Sequence, residues 1–248
     1  VILAVAMLIA AGAPLDRGDF RYVRPLGNVQ PGLVSLALDA DALAHSRNLA
    51  DVRIVDAHDN QVPYVVEERA APVLVPVPVP PRTREGSSSL YHFTLPYTGK
   101  LELTTSARVF TRDVTVQRRR EQWSSDDPDK PAPPLAVDCN VNEIDVVIDD
   151  GDNASLPITS AKLVFPGRAI RFTSPGGPLT LLYGAAIPPP RYDVELIADR
   201  LRAQPARVIA PPPFAPKEAR EEKRVFWIAI MIAVAALLAI LERLLVRT

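Results

Sequence analysis

The chain has 248 residues, with 28 Lys and Arg against 29 Asp and Glu and a net charge of −1. So even a balance leaves no global field to attract nucleic acid or an anionic bilayer surface. A single cysteine, Cys139, excludes an internal disulfide framework, and 26 prolines disfavour long helices through most of the chain while suiting edge strands, turns and linkers.

Residues 1–13 form an apolar run shorter than a membrane span and ending in small residues, which reads as a signal-peptide remnant. Cleavage after Gly12, with Ala10 at the −3 position, is favoured because a cut after Ala13 would leave Pro14 next. Residues 16–69 read as a small N-terminal β domain. Strands are predicted over 20–25 and 33–38, separated by a Gly/Asn/Pro turn. Asp39 then caps a short helical turn over 40–46, its carboxylate accepting from first-turn amides. Residues 52–55 and 62–67 predict a hairpin around a turn rich in Asp and Asn, with His58 exposed in it.

Residues 70–89 alternate proline with valine and end in Gly-Ser-Ser-Ser, the composition of a semi-rigid linker with a flexible end. A second domain, a β-sandwich, is expected over 90–185, with strands near 101–105, 109–118, 144–149, 161–165, 169–173 and 179–183. Ile144, Val146 and Ile148 alternate with Asp145, Val147 and Asp149, the pattern of a half-buried strand. Short strands at this spacing predict a sandwich or jelly roll. Between them, a polar, Pro-rich loop over 121–134 is expected to hold Trp123. A short amphipathic helix is expected over 191–203, with Val194, Ile197 and Leu201 at i, i+3 and i+7.

A Pro-rich stalk over 204–224 leads to 17 consecutive apolar residues, 225–241. As a helix this run covers roughly 25 Å, close to the ~30 Å hydrocarbon core, and Lys223, Arg224, Arg243 and Arg247 can snorkel at its ends. The expected fold class is therefore all-β, with one or two β-sandwich domains plus a C-terminal transmembrane helix. The basic count opposes export: Lys217, Arg220, Lys223 and Arg224 precede the helix, against Arg243 and Arg247 after it. The signal peptide outweighs that count, because it commits the following domain to translocation before the anchor is made.

The densest acidic cluster is Asp149-Asp150-Gly151-Asp152-Asn153. Carboxylate and carbonyl oxygens on a tight glycine turn suit a hard cation, so Asp149, Asp150, Asp152 and Asn153 are candidate ligands of a structural Ca²⁺. The spacing is not that of an EF-hand, and a turn between strands explains the same residues without metal. Trp123, with Arg118 and Arg119 before it, is the candidate ligand-binding loop, since aromatic faces stack on sugar rings. The plain alternative is a tryptophan folded back onto the core. Cys139 reads as a buried small residue, with His45, His58 and His92 all distant in sequence.

Several short motifs carry a family resemblance. Asp51-Val-Arg-Ile-Val-Asp with Gln61-Val-Pro-Tyr resembles a segment of a bacterial family of uncharacterised single-pass membrane proteins. Segment 148–157, Leu181-Leu-Tyr-Gly and Pro190-Arg-Tyr-Asp look like further landmarks of it. The strand Val109-Phe-Thr-Arg-Asp-Val-Thr-Val is similar to those of discoidin, or galactose-binding-like, sandwiches. The resemblance implies a bacterial inner-membrane protein with its ectodomain in the periplasm; it carries no activity or site residues to transfer. No nucleophile–base set, phosphate loop or facing carboxylate pair stands out in the sequence. The function expected is thus non-catalytic, the binding of a glycan or an envelope protein near the membrane. The alternatives are a carbohydrate-active enzyme using the acidic cluster, and an accessory subunit of a membrane complex.

Overall fold

The computed structural model describes residues 13–213. The expected cleavage site, most of the stalk and the hydrophobic run 225–241 lie outside them. Among the described residues no helix is long and apolar enough to cross a membrane.

The chain begins with β1 (Tyr22–Val29) and β2 (Gly32–Ala37), then α1 (Ala40–His45), β3 (Arg53–Val55) and β4 (Tyr64–Glu68). Nine strands follow: β5 (Val73–Val77), β6 (Thr83–Glu85), β7 (Ser88–Thr94), β8 (Gly99–Thr105), β9 (Phe110–Val116), β10 (Arg119–Ser125), β11 (Leu135–Cys139), β12 (Glu143–Asp149) and β13 (Ile158–Phe165). The described part closes with β14 (Arg168–Ser174), β15 (Gly177–Tyr183), α2 (Ala198–Arg202) and β16 (Arg207–Ile209).

These strands build four sheets that pack as two sandwiches. Sheets β1-β15-β3 and β16-β2-β14-β4 enclose one core, with Leu36, Ile54, Ile170, Phe172, Leu181 and Tyr183 at its centre. Sheets β10-β9-β12-β7-β6 and β11-β8-β13-β5 enclose the other, around Phe93, Leu101, Leu103, Val146, Ile148 and Leu163. Both belong to one compact unit that ends at Pro212. The alternation over 144–149 places Ile144, Val146 and Ile148 inward and Asp145 and Asp149 outward.

The arrangement is nested, which differs from the two consecutive domains expected over 16–69 and 90–185. Strands β14 and β15, expected in the second domain, pair with β4, β2, β1 and β3 and complete the first sandwich. The inner sandwich, β5 to β13, is inserted between β4 and β14, which lie side by side with Glu68 opposite Arg168. β5 and β13 are likewise paired, Val73 opposite Phe165, so two adjacent chain segments join the sandwiches. Gly167 lies where they run closest: a Cβ there would fall inside van der Waals contact of the Ala71 carbonyl oxygen.

The expected linker 70–89 instead contains β5, β6 and the start of β7. Proline cannot donate to a ladder, but β5 is an edge strand, so Pro76 turns its missing N–H to the open side. The 52–55 and 62–67 segments meet in a short hairpin, Val55 opposite Gln61 and Val62 N donating to Ile54 O (2.8 Å), and then diverge, β3 pairing with β15 and β4 with β14. In place of one helix over 191–203 there is a 3₁₀ turn, Asp193–Ile197, running into α2, with Val194 and Leu201 packed on Val65. The first part of the expected stalk is β16, added parallel to β2.

Candidate functional site

Four of the segments that carry the resemblance, 51–56, 61–64, 181–184 and 190–193, are brought together by hydrogen bonds within the outer sandwich, while 109–116 and 148–157 lie in the inner one. Asp51 is fully buried and accepts from the backbone N–H of Arg47 (2.7 Å), Gly184 (2.6 Å) and Ala185 (3.0 Å). Arg53 donates to the carbonyls of Ala50 (2.9 Å), Val52 (2.7 Å) and Pro188 (2.6 Å). The Tyr64 hydroxyl donates to Val52 O (2.6 Å), and that of Tyr192 to Gln61 Oε1 (2.9 Å). Burial, and then the neighbouring Tyr192, push the Tyr64 phenol far above its usual range. Burial takes Tyr192 itself up to about 12. These residues fix backbone: Asp51 ties down the loop 46–50, in which Asn48 and Leu49 both take left-handed φ (50° and 63°). A leucine in that region costs on the order of 1–3 kcal/mol and persists only where the surroundings impose it.

Helix α1 lies where the two sandwiches meet. The Asp39 side chain caps it at Ala42 N (3.1 Å) and takes two bonds from the Arg24 guanidinium (3.0 and 2.7 Å). Burial opposes the charge on Arg24, but Asp39 and Tyr183 together more than offset it and raise the group's pKa. Asp41, also buried, accepts from the Tyr183 hydroxyl and lies 3.2 Å from His45 Nδ1. Burial and then Asp41 push the Tyr183 phenol far up. The His45 ring stacks on Tyr22 (4.5 Å between centroids) and meets the edge of Tyr97 (5.6 Å), a residue of the inner sandwich. On the same helix Ala42 packs in the outer core, while Leu43 packs against both cores.

Beside α1 a groove of about 1280 Å³ opens between the sandwiches. Leu43, Ala44 and the loop 46–50 line it with Tyr64, Val65, Val66 and Glu68 of β4. Gly99, Lys100, Phe165 and Pro166 come from the inner sandwich; Pro189, Pro190, Glu195, Ala198, Asp199 and Arg202 also line it. Its surface is mixed, aliphatic and aromatic side chains interspersed with charges of both signs. Ser46 Oγ, also on the lining, is buried without a hydrogen-bond partner among the described residues. Buried polar atoms in folded proteins are seldom left so.

None of the candidate site residues named from sequence lies in this groove, although Tyr64 and Pro190, from two of the short motifs, line it. Trp123 is on strand β10 instead of a loop. It is 3% exposed, packs edge-on to Phe110 and donates from Nε1 to Pro133 O (2.8 Å), so its faces offer nothing to a sugar. Arg118 sits at the β9–β10 turn, where Gln117 and Arg118 both have positive φ, and Arg119 opens β10 beside it. The acidic turn does not converge as a cation site. Asp150 is 1% exposed and faces inward, accepting from Ser89 Oγ (2.5 Å) and Leu156 N (3.1 Å), with Arg112 Nε at 3.6 Å. Asp149 accepts from Gly151 N (3.2 Å), Asp152 is exposed, and the Asn153 amide donates to Asp150 O (3.1 Å). Among the described residues no three His, Cys, Asp or Glu side chains group as metal ligands. The turn is held by its own hydrogen bonds.

Cys139 is buried, and burial pushes its thiol up to about 11. His58 lies in the exposed turn at Asp56. There burial opposes ionisation, but hydrogen bonds from Asn60 and His58 hold the Asp56 carboxyl below the usual range. His92 pairs with Asp145 across the exposed face of β7 and β12 (2.8 Å). The groove residues gave no sequence signal, because Leu49, Val66, Phe165 and Arg202 become neighbours only through the nested topology. No family model matches this chain, and no curated protein shows significant similarity to it.

Proposed function

We propose that this chain is a non-catalytic binding module of the bacterial cell envelope, anchored in the inner membrane by residues 225–241 with its β body in the periplasm. The module holds a partner in the groove between its two sandwiches. What supports this reading is the groove itself: a large channel of mixed apolar and charged lining between both sandwiches, with a strained loop clamped in its wall by a buried carboxylate. The buried carboxylates Asp41, Asp51 and Asp150 are each engaged by hydrogen bonds of the fold, which favours binding over chemistry. The apolar run 225–241, bounded by Arg224 and Glu242, supports the anchor.

The test is photo-crosslinking in native membranes, with a photoreactive residue at Leu49 in the groove or at His92 on the far sheet face. A discrete adduct from Leu49 and none from His92, in membranes that keep the protein through a carbonate wash, is the expected result. Release by carbonate, or equal adducts from both positions, overturns the reading.

A further inference from the structure

From the groove's geometry we infer that it takes an extended segment of another polypeptide, which adds as a strand to the open edge of β4. This rests on the groove being the binding site. Four residues of β4 line the groove, including Val65 and Val66, whose side chains point to opposite faces of their sheet. The groove therefore runs along the edge of the strand, where its backbone is open.

Register identifies the open groups. Arg69 N donates to Gly167 O (3.0 Å), so in the antiparallel ladder Val65 and Glu67 direct their N–H and C=O toward β14. Val66 and Glu68 direct theirs into the groove. Arg202 Nη2 confirms this phase by donating to Val66 O (3.2 Å) from α2. An unpaired ladder edge is a template for another extended chain.

The other edges are less open. β5 contains Pro76, and β1 contains Pro25 with a register shift after it. β10 carries Arg119, Arg120 and Glu121; β11 follows two consecutive prolines, Pro133-Pro134, where β4 follows one, Pro63. β3, β6 and β16 are three residues each. β4 has neither proline nor bulge, and its glutamates are matched by Arg171 and Arg168. Among the described residues the Arg202 side chain caps this edge at Val66 O; Asp199 also holds it (3.1 Å), and it can stay with Asp199 when a strand takes Val66 O.

Size and charge narrow the occupant. At 1280 Å³ the groove exceeds the roughly 300–1,000 Å³ of small-molecule sites. Leu49, Phe165, Pro189 and Pro190 offer apolar contacts. Lys100 and Glu195 are exposed and have no ion-pair partner among the described residues. The matching segment is apolar, extended, and carries one acidic residue for Lys100 and one basic residue for Glu195.

Linear heptapeptides selected from a random displayed library on the detergent-solubilised full-length protein provide the probe. Bound peptide is expected to slow amide exchange at Val66 and Glu68 at least tenfold, leaving Val65 and Glu67 unchanged. Val66→Pro removes only an outward N–H, so the ladder to β14 survives, and binding falls at least tenfold. Arg202→Ala frees Val66 O and tightens binding several-fold, and selection on Lys100→Glu replaces the acidic residue by a basic one. Failure to select any peptide, equal binding by Val66→Pro, or protection on another strand overturns the inference. So does concentration-dependent dimerisation that Val66→Pro abolishes, which would make the occupant a second copy. If the Leu49 photo-adduct persists in Val66→Pro, strand addition fails while the binding groove stands; if wild type gives no adduct, the binding groove itself fails.

Discussion

Replacing Asp51 by Asn tests whether the carboxylate is the clamp that the hydrogen bonds imply. The side chains are nearly isosteric, so packing is unchanged and only hydrogen-bonding capacity differs. In the native protein Oδ1 accepts from Arg47 N, and Oδ2 accepts from both Gly184 N and Ala185 N. An asparagine has one acceptor oxygen, so either orientation turns an NH₂ against at least one backbone N–H. With the oxygen toward Gly184 and Ala185, the unmet donor is Arg47 N, on an exposed residue that water can reach. With the oxygen toward Arg47, two donors are lost, and Ala185 is buried. The first orientation wins. The cost is then one charge-assisted bond, the weakening of two others and partial loss of the loop clamp, together about 2–4 kcal/mol. For a body of this size each kcal/mol moves the melting temperature by about 2–4 °C, so a fall of roughly 5–15 °C is expected. Thermal unfolding followed by far-UV circular dichroism measures it, and limited proteolysis should show new cleavage within 46–50. A melting temperature within about 1 °C of wild type, with that loop still protected, would refute the clamp.

Gly184→Ala sets a Cβ 2.5 Å from Tyr22 Cδ2 at a backbone φ of +83°, so it should cost about 1–3 kcal/mol and alter the near-UV signal of the Tyr22–Tyr183 stack. Trp123→Ala should destabilise by about 3–5 kcal/mol, and in a Trp227→Phe background Trp123 fluorescence should resist iodide quenching; ready quenching would return it to the surface. The hydrogen bond to Asp145 raises the His92 pKa, so its contribution to stability is complete below the unfolded value of about 6.5 and disappears as pH rises through the higher folded value. Imidazole NMR titration should show that elevation in wild type and its loss in Asp145→Asn. Calcium followed by chelator should leave the melting temperature unchanged; a reversible rise of more than about 2 °C would restore the acidic turn as a cation site.

Local signals were readable wherever one residue's neighbours in sequence decide its role. Asp39 caps α1, and the alternation over 144–149 faces the core, because capping and pleating are short-range effects. What failed to show was partnership at long range. Nothing in the pattern at 169–173 or 179–183 says that those strands join β1 to β4 in preference to their nearer neighbours. Asp51 looks like an ordinary surface acid, yet its partner Gly184 is 133 residues away. Strand β10 lacked alternation since residues 119–122 are all exposed at a sheet edge, which left Trp123 looking like part of a loop. Its turn has Gln117 and Arg118 in the left-handed region without glycine, so the usual hairpin mark is missing. The prolines at 72–78 masked β5 because an edge tolerates what an interior strand does not.

Interruption of one sandwich by another imposes an order of assembly on a chain made from its N-terminus. Residues 73–165 are contiguous and can collapse as soon as they emerge, whereas β1 to β4 must wait, with Leu36 and Ile54 uncovered, until Phe172 and Leu181 arrive. A stop just after residue 165 would thus release a finished inner module carrying half of an outer one, sticky along its apolar face. Premature termination just past the inner module should therefore give a product far more prone to aggregate than the complete chain.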